Sequence, residues 1–211
     1  MGNSPEYIVF TDASLRRNKT RSYCAFGVVV LNLKTLEYAS FGAELGSRTV
    51  TFGEGWAVYR GIQAVCSIVD KKQKDPTQIL VVTDSKLTVK VLSEYIPFVW
   101  DTKNWENWKK VDGSPVKNQG LYRKIVALIN DHPEIHPRIA HINSHQSDND
   151  WEKIQSKLKK YGINADPKTT RVFMNMNDLA DSICQGITKK MRDEEEKTGE
   201  FIRLIPKGEL K

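Results

Sequence analysis

The sequence predicts an α/β protein built on a five-stranded mixed sheet flanked by helices, and three observations predict it. Three strand-like segments, "YIVF", "YCAFGVVVLN" and "EYASFGAEL", follow one another with only turn or charged breaks between them, the order of an antiparallel meander. Two later apolar runs, "QILVVTD" and "RIAHINSH", alternate with segments of helical spacing, as further strands joined through helices do. Twice an apolar strand runs into Thr, Asp and a small residue, in "VFTDAS" and "VVTDS", so a carboxylate stands where a core strand ends.

Each element has its own signal. The meander is rich in β-branched and aromatic residues. Behind it, "TFGEGWAVYRGIQAVCSIVDKK" sets Val58, Ile62, Val65 and Val69 at steps of four, three and four, which is helical. "QILVVTD" is a short buried strand ending in Asp84, with a helix in "SKLTVKVLSEYI" after it. A helix in "NQGLYRKIVALINDH" precedes the strand in "RIAHINSH". Within "DWEKIQSKLKKYGI", Trp151, Ile154, Leu158 and Tyr161 recur at steps of three, four and three, predicting an amphipathic helix with Lys153, Lys157, Lys159 and Lys160 around it. A last helix is expected from about Met176 through Lys189 and Lys190. One domain over residues 7–192 follows, between a short tail at 1–6 and a charged extension at 193–211.

Composition bounds the function. A chain of 211 residues with 39% hydrophobic content buries one good core. No apolar run approaches a membrane span, and "MGNSPEYIVF" lacks the basic-then-apolar order of a secretory signal, so a soluble intracellular protein with no membrane partner is expected. Cys24, Cys66 and Cys184 are odd in number and contain no C-x-x-C, which encodes neither a disulfide framework nor a zinc site. They read as small core residues. The net charge of +6 and pI near 9.1 suit a partner rich in phosphate.

Asp12 and Asp84 meet at the carboxyl ends of their strands if the two strands are neighbours. Glu54 shares a helix face with Val58, Gly61, Ile62 and Val65, so the side packed on the sheet begins with a carboxylate. Three carboxylates this close repel one another unless a cation neutralises them, and oxygen-only ligands select Mg²⁺ or Mn²⁺. Taken singly, each has a structural reading of equal weight: an Asp capping the next helix, or a Glu favouring a helix dipole in its first turn. All three in this order favour the cation.

With Asp12, Glu54 and Asp84 on strand, helix and strand, the chain resembles ribonuclease H of the type 1 family. Further stretches carry the likeness: "NWENWKKVDGSPVKNQGLYRKI" resembles a Trp- and Lys-rich protrusion, "HINSH" a strand end whose last histidine lies beside the metals, and "NDLADSI" the start of the last helix with the fourth carboxylate. The resemblance implies a ribonuclease H-like fold with its protrusion at about residues 100–118; the long insertion at about 146–175 departs from it, exceeding the family's usual connection there. It implies that Asp12, Glu54, Asp84 and Asp181 hold two Mg²⁺ ions, with Mn²⁺ as a substitute, and that His145 assists by proton handling or by loosening a metal. Helical spacing supports Asp181: Met176, Ala180, Ile183 and Ile187 form an apolar face with Asp181 at its flank, while Asp178 points nearly opposite with Ser182 and Gln185.

The implied activity is hydrolysis of the RNA strand of an RNA/DNA hybrid by a two-metal-ion mechanism, leaving 5′-phosphate and 3′-hydroxyl ends. The implied substrate contacts are Asn18, Thr49 and Thr51 on one side and Trp100, Lys103, Trp105, Trp108, Lys109, Lys110 and Lys117 on the other, one Trp being expected to anchor the protrusion. Phosphates are held by Lys and Arg, and the RNA strand is told apart by its 2′-hydroxyl. The lysines after Trp151 have two readings of equal weight: they add phosphate contacts, or they are solvated on a helix docked against the body. The sequence departs from the family where Ala13 replaces a Gly after the first Asp, and where "RTVTFGE" replaces Asn residues before the Glu. A free-standing, monomeric enzyme of the cytoplasm, or of the nucleus in a eukaryote, is the expectation. The alternative is a hybrid-binding or structural module on the same fold without cleavage, which predicts a missing carboxylate; none is missing.

Overall fold

β1 (Tyr7–Arg17) is central because its start is apolar on both faces: Ile8 and Phe10 are buried on one side and Val9 on the other. A computed structural model describes residues 4–17, 21–71, 75–98, 108–110, 112–143 and 150–198. β2 (Ser22–Asn32) pairs with β1 antiparallel along its whole length, and β3 (Tyr38–Gly46) continues the meander. β4 (Thr77–Thr83) lies parallel to β1 on its other side, with β5 (Ile135–His141) parallel to β4. The sheet order is β3-β2-β1-β4-β5, five mixed strands as the sequence predicts.

The period-two alternation of these strands feeds two cores. On one face Val9, Val28, Ile79 and Val81 pack with α1 (Val50–Cys66) and α4 (Gln119–Asp131). On the other, Phe10, Leu80, Val82 and Ala140 pack with α5 (Trp151–Lys160) and α6 (Pro167–Thr198). Between β4 and α4 run α2 (Lys86–Lys90), a π-helical turn (Val91–Tyr95) and the short α3 (Ile96–Phe98), in the segment expected to be one helix. Two glycines set how close the helices come. A Cβ on Gly27 of β2 would collide with the Ala180 carbonyl of α6, and one on Gly61 of α1 would collide with Val9.

Two elements differ from expectation. β1 does not end at Asp12; it runs to Arg17, paired with β2 through Arg17↔Ser22. The last helix begins at Pro167, not near Met176, because Asp166 starts it: the Asp166 carboxylate accepts the Thr169 N–H at 2.8 Å, and Pro167 follows at the first position, where its missing N–H costs nothing. The helix also runs on to Thr198, past the start of the expected extension. α5 lies where the step pattern puts it, buried through Ile154 and Leu158. Among the described residues, no helix is long and apolar enough to cross a membrane.

Candidate active site

The site forms where the sheet loses a strand. β1 and β4 pair in parallel from Tyr7↔Ile79 to Thr11↔Thr83, and there β4 stops while β1 continues against β2 alone. The next residues, Asp12 and Asp84, therefore stand side by side at the carboxyl end of the pair. Glu54 comes down on them from α1, buried to 6% exposure, and Asp181 comes up from α6 on the other face. Asp12, Glu54 and Asp84 each offer an oxygen within 4.8 Å of the others, and Asp12, Asp181 and Cys184 make a second such group. Asp12 belongs to both.

The capping readings of these carboxylates do not hold. Ser85, not Asp84, caps α2, accepting the Thr88 N–H at 3.3 Å. Thr49 caps α1 by accepting the Phe52 N–H at 3.2 Å, and Glu54 lies beyond the first turn, which holds no acidic residue. Both acids are left to face the site.

Electrostatics mark the cluster as one that wants a cation. Burial first, then the charge of Asp84, pushes the Asp12 carboxyl up to about 8, although the Ala13 N–H donates to Asp12 Oδ1 at 2.7 Å and pulls the other way. Glu54 is held well above the usual carboxylate range by its own burial and then by Asp12 and Asp84, while Thr83 Oγ1 donates to it at 3.2 Å. The donors are hard oxygens, which fits Mg²⁺ or Mn²⁺. Cys184 Sγ instead donates to the Asp181 carbonyl at 3.1 Å, and burial keeps its thiol protonated.

Stability against pH follows from Asp12. Between its ordinary value of 3.8 and about 8 the native, metal-free protein keeps a proton there that the unfolded chain has lost. Native protein binds more protons than unfolded, so stability is greatest at the acidic end of that window and falls as pH rises through it, levelling above about 8. Glu54 acts in the same direction. In chelator, Asp12→Asn should remove the Asp12 part of the slope and stabilise the protein by roughly 1–3 kcal/mol near the top of the window. Thermal melts of the two proteins across pH check this; identical slopes would refute it.

The substrate-contact residues divide into three groups. Thr49, Thr51, Lys109, Lys110 and Lys117 line one cavity of about 930 Å³, whose wall also includes Tyr95, Asp112 and Tyr122 and the apolar Leu87, Val91 and Val116. Trp108 is a correction: it is 1% exposed and packs in the core beside α1 and α4, so its ring anchors the protrusion and cannot meet a substrate. The antiparallel bridge Lys109↔Pro115 then holds the lysines after it outward. Asn18, Trp100, Lys103, Trp105 and His145 lie outside the described residues.

Three supporting residues escape the sequence reading. Thr83 orients Glu54, as above. Gln185 Nε2 donates to both Asp181 oxygens at 2.7 and 2.9 Å, so it belongs with Asp181 and not with Asp178 away from the apolar face; the i, i+4 spacing is the signal. Cys184 sits against the Asp12–Asp181 pair, three residues after Asp181 on the same helix face.

Comparison with known proteins agrees with this geometry. A family model described as RNase H matches residues 4–158. A ribonuclease H of Cupriavidus pinatubonensis is 30% identical over 127 residues, which are 60% of this chain and 77% of that protein. One of Thiobacillus denitrificans is 41% identical over 59 residues, 28% of this chain and 37% of that protein, so the match spans about a third of the relative's length. Among solved structures, the prototype foamy virus RNase H domain superposes with a TM-score of 0.62 at 20% identity, covering 89% of this chain and 97% of that one. The foamy viral protease-reverse transcriptase in complex with an RNA/DNA hybrid gives 0.61 at 16%, covering 89% and 20%. These two show the fold. With the family model covering most of the chain, and with it Asp12, Glu54 and Asp84, the protein belongs to the ribonuclease H family.

Proposed function

We propose that the protein is a metal-dependent endonuclease that hydrolyses the RNA strand of RNA/DNA hybrids, leaving 5′-phosphate and 3′-hydroxyl ends. The observation that carries this is the convergence of Asp12, Glu54 and Asp84 within 4.8 Å, at a place where burial and mutual repulsion make their charges costly without a cation. Family membership and curated relatives named ribonuclease H supply the substrate class.

Asp12, Glu54, Asp84 and Asp181 would hold two Mg²⁺ ions, or Mn²⁺. When bound, the ions supply Lewis-acid stabilisation of the phosphate oxygens and a water more acidic than bulk. The chain's own residues do the rest. Asp12 would serve both halves of the site, because it stands with Glu54 and Asp84 in one group and with Asp181 in the other. Thr83 and Gln185 fix the rotamers of Glu54 and Asp181 by donating to their oxygens. The cavity beside α1 offers Lys109, Lys110 and Lys117 to phosphates and the Thr49 and Thr51 hydroxyls as further donors, a mixture that holds a nucleic-acid backbone without reading bases. By the family resemblance, His145 would assist by proton handling or by loosening a metal after cleavage.

Incubation with labelled RNA/DNA, RNA/RNA and DNA/DNA duplexes in Mg²⁺ tests the reading. Cleavage is expected only in the RNA strand of the hybrid. Hybrid binding without cutting would instead favour a binding module, and cleavage of the DNA duplex would favour a different nuclease on this fold.

A further inference from the structure

The helix inserted between β5 and α6 is tied to the metal site by a polar chain. α5 docks Ile154 and Leu158 in the core shared with Leu80, Val82, Ala140 and Ile142, so it lies under β4 and β5. Lys157 stands between those two anchors. Its ammonium, half-buried, donates to the His141 carbonyl at 3.3 Å, at the last residue of β5. The His141 ring in turn makes a 3.1 Å hydrogen bond from Nε2 to the carbonyl of Asp84. A carbonyl only accepts, so Nε2 carries the proton. The backbone closes the same junction, with the Ile142 N–H donating to the Thr83 carbonyl at 3.0 Å.

An apolar side chain would dock α5 equally well, and burying an ammonium costs free energy, which here holds the Lys157 pKa below its usual value. The cost implies a use. The Asp84 peptide is the first beyond the end of β4. The His141 bond holds that peptide at its carbonyl, on the residue whose carboxylate faces Asp12 and Glu54.

We propose that Lys157 and His141 are positioning residues for Asp84, and that through them the inserted helix α5 sets how tightly the site binds its metal. The proposal rests on reading Asp84 as a metal ligand. Outer contacts of this kind are worth about 10- to 100-fold in metal affinity when removed.

The test uses the full chain and two readouts. Lys157→Met, which keeps the stem and removes the donor, should raise the Mg²⁺ concentration for half-maximal hybrid cleavage by about tenfold, with the rate at saturating Mg²⁺ within about twofold of wild type. Calorimetric titration of Mg²⁺ without substrate should show the same loss, and Lys157→Arg should restore it. His141→Leu should behave as Lys157→Met does, while His141→Gln, which keeps an amide donor, should bind Mg²⁺ close to wild type; this pair decides if Lys157→Met fails to fold. Ser156→Ala, on the exposed side of α5, is the control. Unchanged Mg²⁺ affinity in Lys157→Met or in His141→Leu overturns the proposal, as does a loss confined to hybrid affinity, which would make Lys157 a phosphate contact. Calorimetry separates this from the functional reading: wild type that binds Mg²⁺ but cuts no hybrid would sink the latter alone.

Discussion

Asp12→Asn and Asp84→Asn should each lower Mg²⁺-dependent cleavage of a hybrid by roughly 10³-fold or more, about 4 kcal/mol in the barrier, without unfolding the protein. The two aspartates stand next to each other because the parallel pairing of β1 with β4 stops one residue before them. Neither can be replaced locally: Glu54 approaches from α1, and Asp181 is grouped with Asp12 but not with Asp84. Asp12 should be the more sensitive, since losing its charge damages both groups. The fold should survive because both changes remove repelling charge from a half-buried cluster, and the metal-free variants should melt no lower than wild type. Steady-state cleavage with melting curves in chelator and in Mg²⁺ checks all of this. Wild-type rates in either variant would remove these residues from the site.

How far the sequence shows this site depends on what kind of signal each residue leaves. Asp12 and Asp84 are legible because a carboxylate after an apolar strand violates the burial pattern around it, and Glu54 because it heads an apolar helix face. The start of α6 is marked in "ADPKTT", where Asp before Pro signals a helix N-terminus, whereas the apolar spacing that predicts a start near Met176 belongs to the interior of the helix. Trp108 could not be placed from sequence, since three Trp in a Lys-rich stretch say that one is an anchor but not which. The roles of His141 and Lys157 had no local signal at all. Each acts on a backbone carbonyl brought to it by parallel strand pairing and helix docking, and such contacts depend on register across 16 and 57 residues of chain.

Asp181 is the carboxylate for which structure carries the most weight, because the family match ends at residue 158 and does not reach α6. Asp181 and Asp178 lie three residues apart in α6, close enough for either to be the one that "NDLADSI" resembles. The packing of α6 separates them. Ala180 and Cys184 are buried against the sheet, and Asp181 between them is half-buried beside Asp12, with Gln185 one turn on donating to both its oxygens; Asp178 is exposed. Farther along, Thr188 meets Ser14 of β1 at 3.2 Å, so the register is fixed on the C-terminal side of Asp181 as well. Asp181→Asn should therefore cost roughly 10- to 100-fold in cleavage at low Mg²⁺, less than the loss at Asp12 because the Asp12–Glu54–Asp84 group remains, and higher Mg²⁺ should recover part of it. Asp178→Asn should stay within about twofold, as an exposed helix substitution does. Gln185→Leu, which removes the donor but no charge, should fall between them. Rates at several Mg²⁺ concentrations for the three variants make the comparison, and equal losses at 178 and 181 would mean that the second half of the site is not built by this face of α6.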